Sequence, residues 1–581
     1  MKHLVEEPLQ RAVNAFLAER DIGLPDGFAP EIERTRDSKH GDFASNVALT
    51  LAKPARMKPR DIAAGVIAHL PDSDLINKVE IAGPGFINFF LEQAAYRQII
   101  PDILEAGAGY GTGNYGRGRR VLVEFVSANP TGPLHIGHGR GAAYGASLAG
   151  VLAAAGFQVT REYYVNDAGR QMNILALSTW LRYLALCDVT LPYPEKAYQG
   201  HYVRDIAAKL HDEAGGDYAV APGELPDILA AEDPEKQLDG AIDFARRTLG
   251  ANRFDTIARR VLEEILAEIR EDLDEFGVHF DNWFSEQSLL DADAVQKSIA
   301  ALSERGDIYE QDGAWWFRSS RYGDEKDRVV IRENGQTTYF ASDIAYHMNK
   351  FERGFDLAID VWGADHHGYI DRVRGVLRAL GRDDDALQIL LVQFATLYRG
   401  SEKLPMSTRS GEYVTLRDLR NEVGNDAARF FYVTRKSEQH LDFDMELAKS
   451  QSNDNPVYYI QYAHARICSV MRQLRERGHD HDQAAGLENL HLLTESHELA
   501  ILKSLSRYPE VIEAAAAGRE PHLIGFYLKD LSTEFHTYYN SHQFLVDEPA
   551  LRQARVCLVL AVRQVIRNGL SLLGVSAPEE M

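Results

Sequence analysis

Residues 128–156 read "ANPTGPLHIGHGRGAAYGASLAGVLAAAG", and this stretch determines the fold class. It follows the apolar segment "RVLVEFV" (residues 120–126) and precedes "QVTREYYV" (residues 158–165). A strand, a helix of small residues and a second strand form a βαβ unit, whose strands pair in parallel through a right-handed crossover. The sequence therefore predicts an α/β fold, with a ligand site where the first strand ends and the helix begins.

The predicted helix has an unusual first turn. His135 and His138 lie three apart, Pro133 precedes them, and Gly137 and Gly139 lie among them. A structural helix begins with a capping residue and an apolar stripe instead. The glycines let a flat ligand such as a nucleobase approach the backbone, and the histidines can donate hydrogen bonds to phosphate oxygens. This suits adenylyl transfer, in which the protein supplies positioning and charge stabilisation.

Two other kinds of site use similar residues. A helical zinc pair normally has its histidines four apart with a glutamate between them. A dinucleotide loop has the full G-x-G-x-x-G pattern and a downstream acid, which are missing here. The combination of proline, histidine and glycine after a strand favours the phosphate site.

The bulk composition is that of an ordinary globular protein. The 581 residues are 45% hydrophobic and 26% charged, and the length predicts two to four domains. The longest apolar run near the C-terminus, "VCLVLAV", is too short to span a bilayer, so we expect no membrane partner. The isolated cysteines Cys187, Cys468 and Cys557 argue against a cysteine zinc site and indicate a reducing cytoplasm. The net charge of −23 weakens the case for a nucleic-acid partner, but a local basic face would suffice.

The chain divides into three parts. Residues 1–115 predict a small α+β unit, in which "VEIAGPGFINFFL" is a strand, a tight turn and a second strand. Residues 116–450 predict the parallel-sheet domain, with an acidic helical insertion around 190–275. Its further strand candidates are "DRVVIRE", "TTYFASD", "FDLAIDVWGAD" and "ALQILLVQFATLY". Residues 451–581 are helical, and one helix face carries Ile460, Ala463, Ile467, Val470, Met471 and Leu474.

The motif "PLHIGH" after a strand resembles the HIGH motif of class I aminoacyl-tRNA synthetases. The longer segment "EFVSANPTGPLHIGHGRGAAYGASLAGVLAAAGFQVTREYYVNDAGRQM" resembles the arginyl-tRNA synthetase family, as do "YYVNDAGRQM", "GVHFDNWFSE" and "WGADHHGYI". The resemblance covers nearly the whole chain. It implies a Rossmann-like catalytic domain, an N-terminal additional domain that contacts the tRNA elbow, and a C-terminal all-α anticodon-binding bundle.

The resemblance also implies an activity. Arginine and ATP would give arginyl-adenylate and pyrophosphate, and the arginyl group would pass to the 3′-terminal adenosine of tRNA(Arg). Activation would require bound tRNA, and the enzyme would be a cytoplasmic monomer. Three alternatives stay open: another class I synthetase such as a cysteinyl enzyme, a small-molecule nucleotidyltransferase, and a synthetase-like tRNA-binding protein without activation.

The second phosphate-binding loop departs from the family pattern. Class I synthetases close a Lys-Met-Ser-Lys-Ser loop over the ATP phosphates. The corresponding segment, "RGSEKLPMSTRSGEYVTL" (residues 399–416), matches at Met406 and Ser407. Pro405 and Thr408 replace the two lysines. A compensating lysine precedes the HIGH motif in many members, and Thr131 or Gly132 fills that place here.

Two cations remain near this loop, Lys403 and Arg409. We hypothesise that one or both neutralise the leaving pyrophosphate when the loop closes. The alternative is that both are solvated surface charges. By resemblance, the catalytic residues are then His135, His138, Lys403 and Arg409, and the ATP-binding residues are Pro133, His135, Gly137, His138, Gly363, Asp365, His367, Met406 and Ser407.

Arginine recognition requires carboxylates, because a guanidinium is planar, always charged and has five donors. Glu124 lies inside an apolar strand, where an unpaired acid is costly to bury; the alternative is an outward-facing position. By resemblance, Glu124, Tyr339 and Asp343 hold the guanidinium. The full set that the resemblance implies for arginine is Glu124, Ser127, Asn129, His135, Tyr339, Asp343 and His366.

A metal site is weakly indicated. Asp365 stands beside His366 and His367, but no further ligand is spaced to complete a site. We expect no structural metal. Mg²⁺ would arrive with ATP, held mainly by phosphates and water.

Aromatic residues in the C-terminal part indicate RNA binding, because anticodon bases stack on aromatic side chains. The segments "NPVYYIQYAHAR" and "FHTYYNSHQF" carry them. The alternative is that most of these tyrosines pack helices together. The predicted tRNA-binding residues are Tyr458, Tyr462, Arg466, Tyr538 and Tyr539.

Overall fold

The N-terminal part packs helices against a four-stranded antiparallel sheet. The structure, a computed structural model, describes residues 1–23, 28–35, 37–220, 233–404 and 414–581. The sheet order is β1-β2-β4-β3, and the predicted Gly-Pro-Gly turn joins β3 to β4, as expected. The elements are α1 (His3–Glu19), β1 (Ile32–Arg34), β2 (Phe43–Ser45), α2 (Val47–Ala55), α3 (Pro59–Ala68), β3 (Ile76–Ala82), β4 (Phe86–Leu91), α4 (Gln93–Arg97) and α5 (Ile99–Ala106).

The central part begins with the predicted βαβ unit. It continues through a helical region into further strands. The elements are β5 (Arg120–Phe125), α6 (Ile136–Ala154), β6 (Gln158–Val165), α7 (Arg170–Leu186), α8 (His201–Ala214), α9 (Pro234–Leu249), α10 (Ala251–Glu275), β7 (Asn282–Ser285), α11 (Gln287–Asp291), α12 (Ala294–Glu304), β8 (Ile308–Gln311), β9 (Ala314–Phe317), β10 (Arg328–Ile331), α13 (Tyr339–Glu352), β11 (Leu357–Gly363), α14 (Ile370–Ala379), β12 (Leu387–Val392), β13 (Ala395–Arg399), β14 (Glu402–Lys403), α15 (Leu416–Val423), α16 (Asn425–Tyr432), β15 (Leu441–Asp444) and α17 (Met445–Lys449).

Five of these strands form one parallel sheet in the order β12-β11-β5-β6-β7. The chain therefore adds strands first on one side of β5 and then on the other. In open α/β sheets, ligands bind outside the carboxyl ends of the strands at such a reversal. The predicted α/β class with a parallel sheet is confirmed, and the HIGH turn lies at this crevice.

One strand prediction is wrong, and another covers two strands instead of one. The segment "TTYFASD" begins helix α13, with Thr338 in an extended conformation at its N-cap. Its apolar residues continue at helical spacing through Ile344 and Phe351, which are buried, so the helical period prevails over the short β-like start. The segment "ALQILLVQFATLY" forms two strands, β12 and β13, which belong to different sheets and are separated by Gln393 and Phe394.

The C-terminal part is a helical bundle. The face predicted on its first helix is confirmed, since all six residues are buried. An Arg34–Glu510 pair, with two nitrogen–oxygen distances of 2.8 Å, joins the N-terminal part to this bundle. Among the described helices, none combines the length and the apolar character that a membrane span needs. The bundle consists of α18 (Pro456–Glu476), α19 (Gln483–Glu488), α20 (Ser496–Gly518), α21 (His522–Ser541) and α22 (Pro549–Leu572).

Candidate active site

The two histidines of the HIGH turn cap helix α6 themselves. His135 is the N-cap, and its Nδ1 accepts a hydrogen bond from the Gly137 N–H at 3.0 Å. The Nδ1 of His138 accepts from the His135 N–H at 3.3 Å, and the two rings stack with centroids 3.7 Å apart. The expectation that this turn has no capping residue is therefore wrong. Imidazole nitrogens accept the backbone hydrogen bonds that a Ser or Asp side chain usually accepts at this position.

This capping fixes the tautomer of both rings. Each Nδ1 accepts from a backbone N–H, so the proton of each neutral imidazole lies on Nε2, an assignment that follows from the hydrogen bonds. Burial lowers the pKa of His135, and burial together with His135 lowers the pKa of His138 to about 3. At neutral pH both histidines are therefore uncharged Nε2–H donors, which suits them to hydrogen-bond phosphate oxygens.

The glycines of the turn have a different role from the predicted one. A Cβ on Gly139 would lie 2.9 Å from both Leu416 and Tyr432. A Cβ on Gly137 would lie 2.7 Å from the His135 ring and 3.0 Å from Phe394. The expectation that Gly139 makes room for a ligand is wrong, because protein side chains of α15 and α16 fill that space.

A strained turn connects β5 to the HIGH segment. Val126 has φ +67° and Ser127 has φ +40°, and the Ser127 N–H donates to the Phe125 carbonyl at 3.0 Å. A β-branched residue at positive φ is a conformational outlier, and such strain concentrates at functional sites. The turn brings the Ser127 hydroxyl to Glu124 at 2.9 Å, while the same oxygen accepts from the Tyr164 N–H at 3.1 Å. Ser127 therefore orients the Glu124 carboxylate.

Three buried carboxylates lie in register across three neighbouring strands. Asp360 on β11 pairs with Glu124 on β5, which pairs with Glu162 on β6. Residues in register point to the same face of a parallel sheet, and these three are 0%, 6% and 0% exposed. We call Asp360, Glu124 and Glu162 the acid row. Glu124 is thus buried rather than outward-facing.

One face of helix α13 supplies cations to the acid row. Lys350 donates to Glu124 at 2.6 Å and to Asp360 at 2.7 Å. Arg353 binds both oxygens of Glu162, at 2.6 and 2.8 Å. These residues are three apart, so they share a helix face. The helical period therefore places both cations that pair with the acid row.

His347 is the third member of this face. Its Nε2 lies 2.9 Å from Asp360 Oδ2, and its Nδ1 lies 2.8 Å from the Asp343 carbonyl oxygen. His347 therefore joins Asp360 to the backbone of α13. Burial acts to raise the pKa of Asp360, but Lys350 and His347 outweigh it and lower that pKa to about 2. Lys350 and Arg353 thus pair with all three carboxylates of the acid row.

Asp343 takes no part in these ion pairs. It accepts a hydrogen bond from the Tyr369 hydroxyl, and no ion pair to it exists among the residues that the structure describes. Burial raises its pKa. Burial first, and then Glu286, Asp343 and Glu124, raise the pKa of Tyr164, so these three acids converge on one hydroxyl. The predicted residues Glu124 and Asp343 therefore both lie near the Tyr164 hydroxyl.

Tyr339 is exposed, unlike Glu124 and Asp343. It begins α13 four residues before Asp343, and it is 57% exposed. Asn129 is also exposed, and its Oδ1 accepts from Asn166 at 3.1 Å. Both predicted residues are thus available on the surface beside the acids.

The carboxyl end of β11 forms the other wall of the crevice. Gly363 ends the strand, and a Cβ there would collide with the Asp365 carboxylate. Asp365, His366 and His367 lie in an exposed 3₁₀ turn, where Asp365 and His366 are 3.7 Å apart. Among the described residues, no group of three or more His, Cys, Asp or Glu side chains could hold a metal ion.

Phe394 is a site residue that the sequence analysis missed. It is 42% exposed, and its ring lies 3.0 Å from a Cβ built on Gly137 and 3.6 Å from one on Gly363. It therefore stands between the HIGH turn and the end of β11. The available signal was an aromatic residue at the break between two strands, in "LLVQFATLY".

A cleft of about 1220 Å³ opens over the HIGH turn. The segment 195–202, which runs from the loop after α7 into the first turn of α8, forms its opposite wall. The Tyr202 hydroxyl donates to the Thr131 carbonyl at 2.5 Å and so ties the two walls together. The turn lines the cleft with Asn129, Thr131, Gly132, Pro133, His135 and His138.

The altered phosphate loop is only partly described. Met406, Ser407 and Arg409 lie outside the described residues. Before the gap, the Leu404 N–H donates to the Leu397 carbonyl at 2.9 Å, and Lys403 is exposed on β14. After it, the HIGH segment pairs with residues 414–416, through Ile136 N–H to the Val414 carbonyl at 3.2 Å and Leu416 N–H to the Leu134 carbonyl at 2.8 Å. One end of the loop is thus attached to the HIGH turn.

The predicted tRNA-binding residues separate into two groups. Tyr458 and Tyr462 stack at 5.9 Å, and Arg466 lies over the rings of Tyr462 and Tyr539 at 4.4 and 4.7 Å. These four are partly exposed and form one cluster. Tyr538 is fully buried, and its hydroxyl donates to Glu498 at 2.8 Å. Its prediction as an RNA contact is wrong, because successive helix residues point in different directions and this one faces the core.

Three family models match successive parts of the chain. The arginyl tRNA synthetase N terminal domain matches residues 3–91, the class I (R) tRNA synthetase catalytic domain matches 100–217 and 227–453, and the DALR anticodon binding domain matches 460–581.

Related proteins agree with these matches. The chain is 60% identical to an arginine–tRNA ligase of Thioalkalivibrio sulfidiphilus and 56% identical to one of Hydrogenovibrio crunogenus, each over 100% of both chains. The solved arginyl-tRNA synthetase of Thermus thermophilus has the same fold, with a TM-score of 0.73, 24% identity and full coverage of both chains. By its full-length identity to these relatives and its three domain matches, the chain belongs to the arginyl-tRNA synthetase family.

Proposed function

We propose that the crevice activates arginine with ATP and passes the arginyl group to the 3′-terminal adenosine of tRNA(Arg). The observation that carries the proposal is the pairing of two sites at one sheet edge. Two carboxyl groups near the Tyr164 hydroxyl, Glu124 and Asp343, accompany two neutral imidazole donors at a helix N-terminus. The first pair is complementary to a guanidinium and the second to a phosphate.

The HIGH turn binds ATP in this proposal. His135 and His138 donate Nε2–H bonds to the α-phosphate, where charge develops as pyrophosphate leaves. Phe394 and Gly363 form the adenosine side, together with Asp365 and His367. Mg²⁺ enters with the nucleotide, held mainly by phosphates and water, and neutralises the phosphate charge.

Glu124 and Asp343 bind arginine in this proposal. Glu124 and Asp343 accept from the guanidinium, which Tyr339 covers at the pocket opening. Asn129, Ser127, His135 and His366 line the approach of the amino and carboxylate groups. The arginine carboxylate then lies near the α-phosphate, so that the two substrates react without a covalent enzyme intermediate.

The C-terminal bundle serves the tRNA. The cluster of Tyr458, Tyr462, Arg466 and Tyr539 offers stacked aromatic rings and a guanidinium, which anticodon bases can use. We further propose that activation requires bound tRNA and that the enzyme acts as a cytoplasmic monomer. Its described cysteines are all unpaired, which supports a reducing compartment.

Arg409, Lys403 or both neutralise the leaving pyrophosphate in place of the missing loop lysines. Arg409→Ala is expected to slow adenylate formation while arginine affinity stays unchanged. Lys403→Ala is the companion variant, and Lys297→Ala, an exposed lysine on α12, is the matched control. Unchanged adenylation kinetics in both loop variants would reject the role.

The proposed function is tested by arginine-dependent ATP–pyrophosphate exchange, run with and without tRNA(Arg). Exchange that needs both arginine and tRNA supports the reaction and its dependence on tRNA. Exchange without tRNA keeps the reaction and removes the dependence. No exchange in either condition, with tRNA binding intact, would favour a tRNA-binding protein that lacks activation.

A further inference from the structure

Lys350 has no part in the reaction as proposed, yet it occupies a demanding position. Its ammonium is fully buried, donates to Glu124 and to Asp360, and lies 4.3 Å from the centre of the Tyr346 ring. Lysine side chains normally extend their ammonium into water, and they are almost never fully buried unless paired. The two carboxylates make this burial possible, so the question is what the ammonium does for them.

Glu124 needs a cation to serve as an acceptor. Its Oε2 faces Lys350, and its Oε1 accepts from the Ser127 hydroxyl. An ionised carboxylate only accepts hydrogen bonds, whereas a protonated one presents a donor to the substrate. Burial raises the pKa of Glu124, and the attraction of Lys350 counters that rise. A guanidinium carries only donors, so its recognition depends on which state Glu124 adopts.

The position of Lys350 is fixed from both sides. Asp360 holds the ammonium at 2.7 Å, and His347 holds the second oxygen of Asp360 at 2.9 Å. The chain Glu124–Lys350–Asp360–His347 is therefore continuous and almost entirely buried. Its only member that lines the arginine pocket in the proposed function is Glu124.

We propose that Lys350 is a positioning residue for arginine recognition, whose ammonium keeps the Glu124 carboxylate ionised and oriented toward the substrate guanidinium. Lys350 acts through Glu124 and does not contact arginine. The inference rests on the proposed function, in which Glu124 binds the guanidinium. The competing explanation is that Lys350 only joins α13 to the sheet.

A double-mutant cycle separates these explanations. Dissociation constants for arginine and for ATP are measured by calorimetry on the full chain, for the wild type, Lys350→Met, Glu124→Gln and the double variant. Lys350→Met is expected to weaken arginine binding about 10- to 100-fold, the range for a charged hydrogen bond, with ATP binding unchanged. In the Glu124→Gln background the same change is expected to cost less than about twofold.

A purely structural role predicts a different result. The losses of the two single variants would then multiply in the double variant, or the ATP affinity would fall together with the arginine affinity. Either result overturns the proposal. Lys297→Met, the same change at an exposed site on α12, is the control.

A neutral analogue gives a second readout. Citrulline carries a ureido group in place of the guanidinium, so an ionised Glu124 favours arginine over it. We expect Lys350→Met to reduce the ratio of the two affinities at least about fivefold, whereas a ratio equal to that of the wild type contradicts the proposal. Folding of each variant is checked by circular dichroism.

A milder variant covers the case in which Lys350→Met does not fold. Lys350→Gln keeps a hydrogen-bond donor next to both carboxylates and removes the charge. It is expected to weaken arginine binding as well, and undiminished binding would overturn the proposal. Failure of the proposed function itself is distinct, because the wild type would then show neither arginine binding nor arginine-dependent exchange.

Discussion

The acid row and the HIGH turn lie at the same sheet edge and treat charge in opposite ways. The acid row holds three buried carboxylates in ion pairs with Lys350 and Arg353. The HIGH turn has two titratable rings and keeps both uncharged, since burial lowers their pKa. In the proposed function the substrates account for the difference, because a cationic guanidinium needs ionised acceptors and an anionic phosphate needs donors that require no proton uptake. Each region therefore fixes a protonation state in advance of binding.

The test with the largest expected effect is His135→Ala. Removing an Nε2–H donor from the reacting phosphate is expected to lower kcat for ATP–pyrophosphate exchange about 10²- to 10³-fold. Loss of the N-cap adds about 1 kcal/mol of lost stability. His279→Ala, at an exposed histidine after α10, is the control. Exchange at the wild-type rate would remove the donor role from the HIGH turn.

The second test concerns Asp343, which has no ion pair among the described residues. Asp343→Asn is expected to reduce kcat/KM for arginine about 100-fold, because a charge-assisted bond to the guanidinium is lost. The KM for ATP is expected to stay within about twofold. Asp293→Asn, at an exposed acid before α12, is the control. An equal rise in both KM values would mean that Asp343 is only structural.

The third test removes a cation from the far end of the acid row. Arg353→Met leaves the buried Glu162 without its bidentate partner, which is expected to cost about 2 kcal/mol in the free energy of unfolding. Arginine affinity is expected to stay within about threefold, because Glu162 does not line the pocket. Urea unfolding and calorimetry measure the two quantities. A large loss of arginine affinity would extend the recognition site to the whole row.

The smallest effect is the pH dependence of the HIGH turn. The pKa of His138 falls from its ordinary 6.5 to about 3 in the folded protein, so the unfolded chain binds more protons in this interval. This contribution to stability is complete above pH 6.5 and is lost as the pH falls toward 3. Relative to His138→Gln, the wild type is expected to lose about 0.7 kcal/mol between pH 7 and pH 6. Equal losses in urea unfolding would mean that His138 is not held neutral.

The sequence was most informative where a single residue conflicted with its surroundings. Glu124 could be selected because an acid inside an apolar strand is costly. Glu162 and Asp360 are also acids inside apolar strand segments, "QVTREYYV" and "FDLAIDVWGAD". Their alignment with Glu124 depends on the order of the strands, which connects residues up to about 240 positions apart in the chain.

The cations of the acid row could not be predicted because their helix was misassigned. "TTYFASD" has a short β-like pattern, and only the helical period places His347, Lys350 and Arg353 on one face. The inward orientation of the Tyr538 side chain could not be predicted for a related reason. Adjacent residues of a helix differ in burial although their sequence context is the same. Local patterns identified the elements and motifs, while packing determined the partners.

The capping of α6 by His135 and His138, the proposed phosphate donors, restricts how this enzyme could be engineered. Replacing an N-cap by Ser, Asp or Asn is a common way to raise thermostability. At His135 that exchange would improve the helix and remove a donor from the reacting phosphate. Thermostabilising libraries should therefore leave this helix start fixed and seek their gains at other helix ends, such as α3, where Lys58 is an N-cap without a side-chain hydrogen bond.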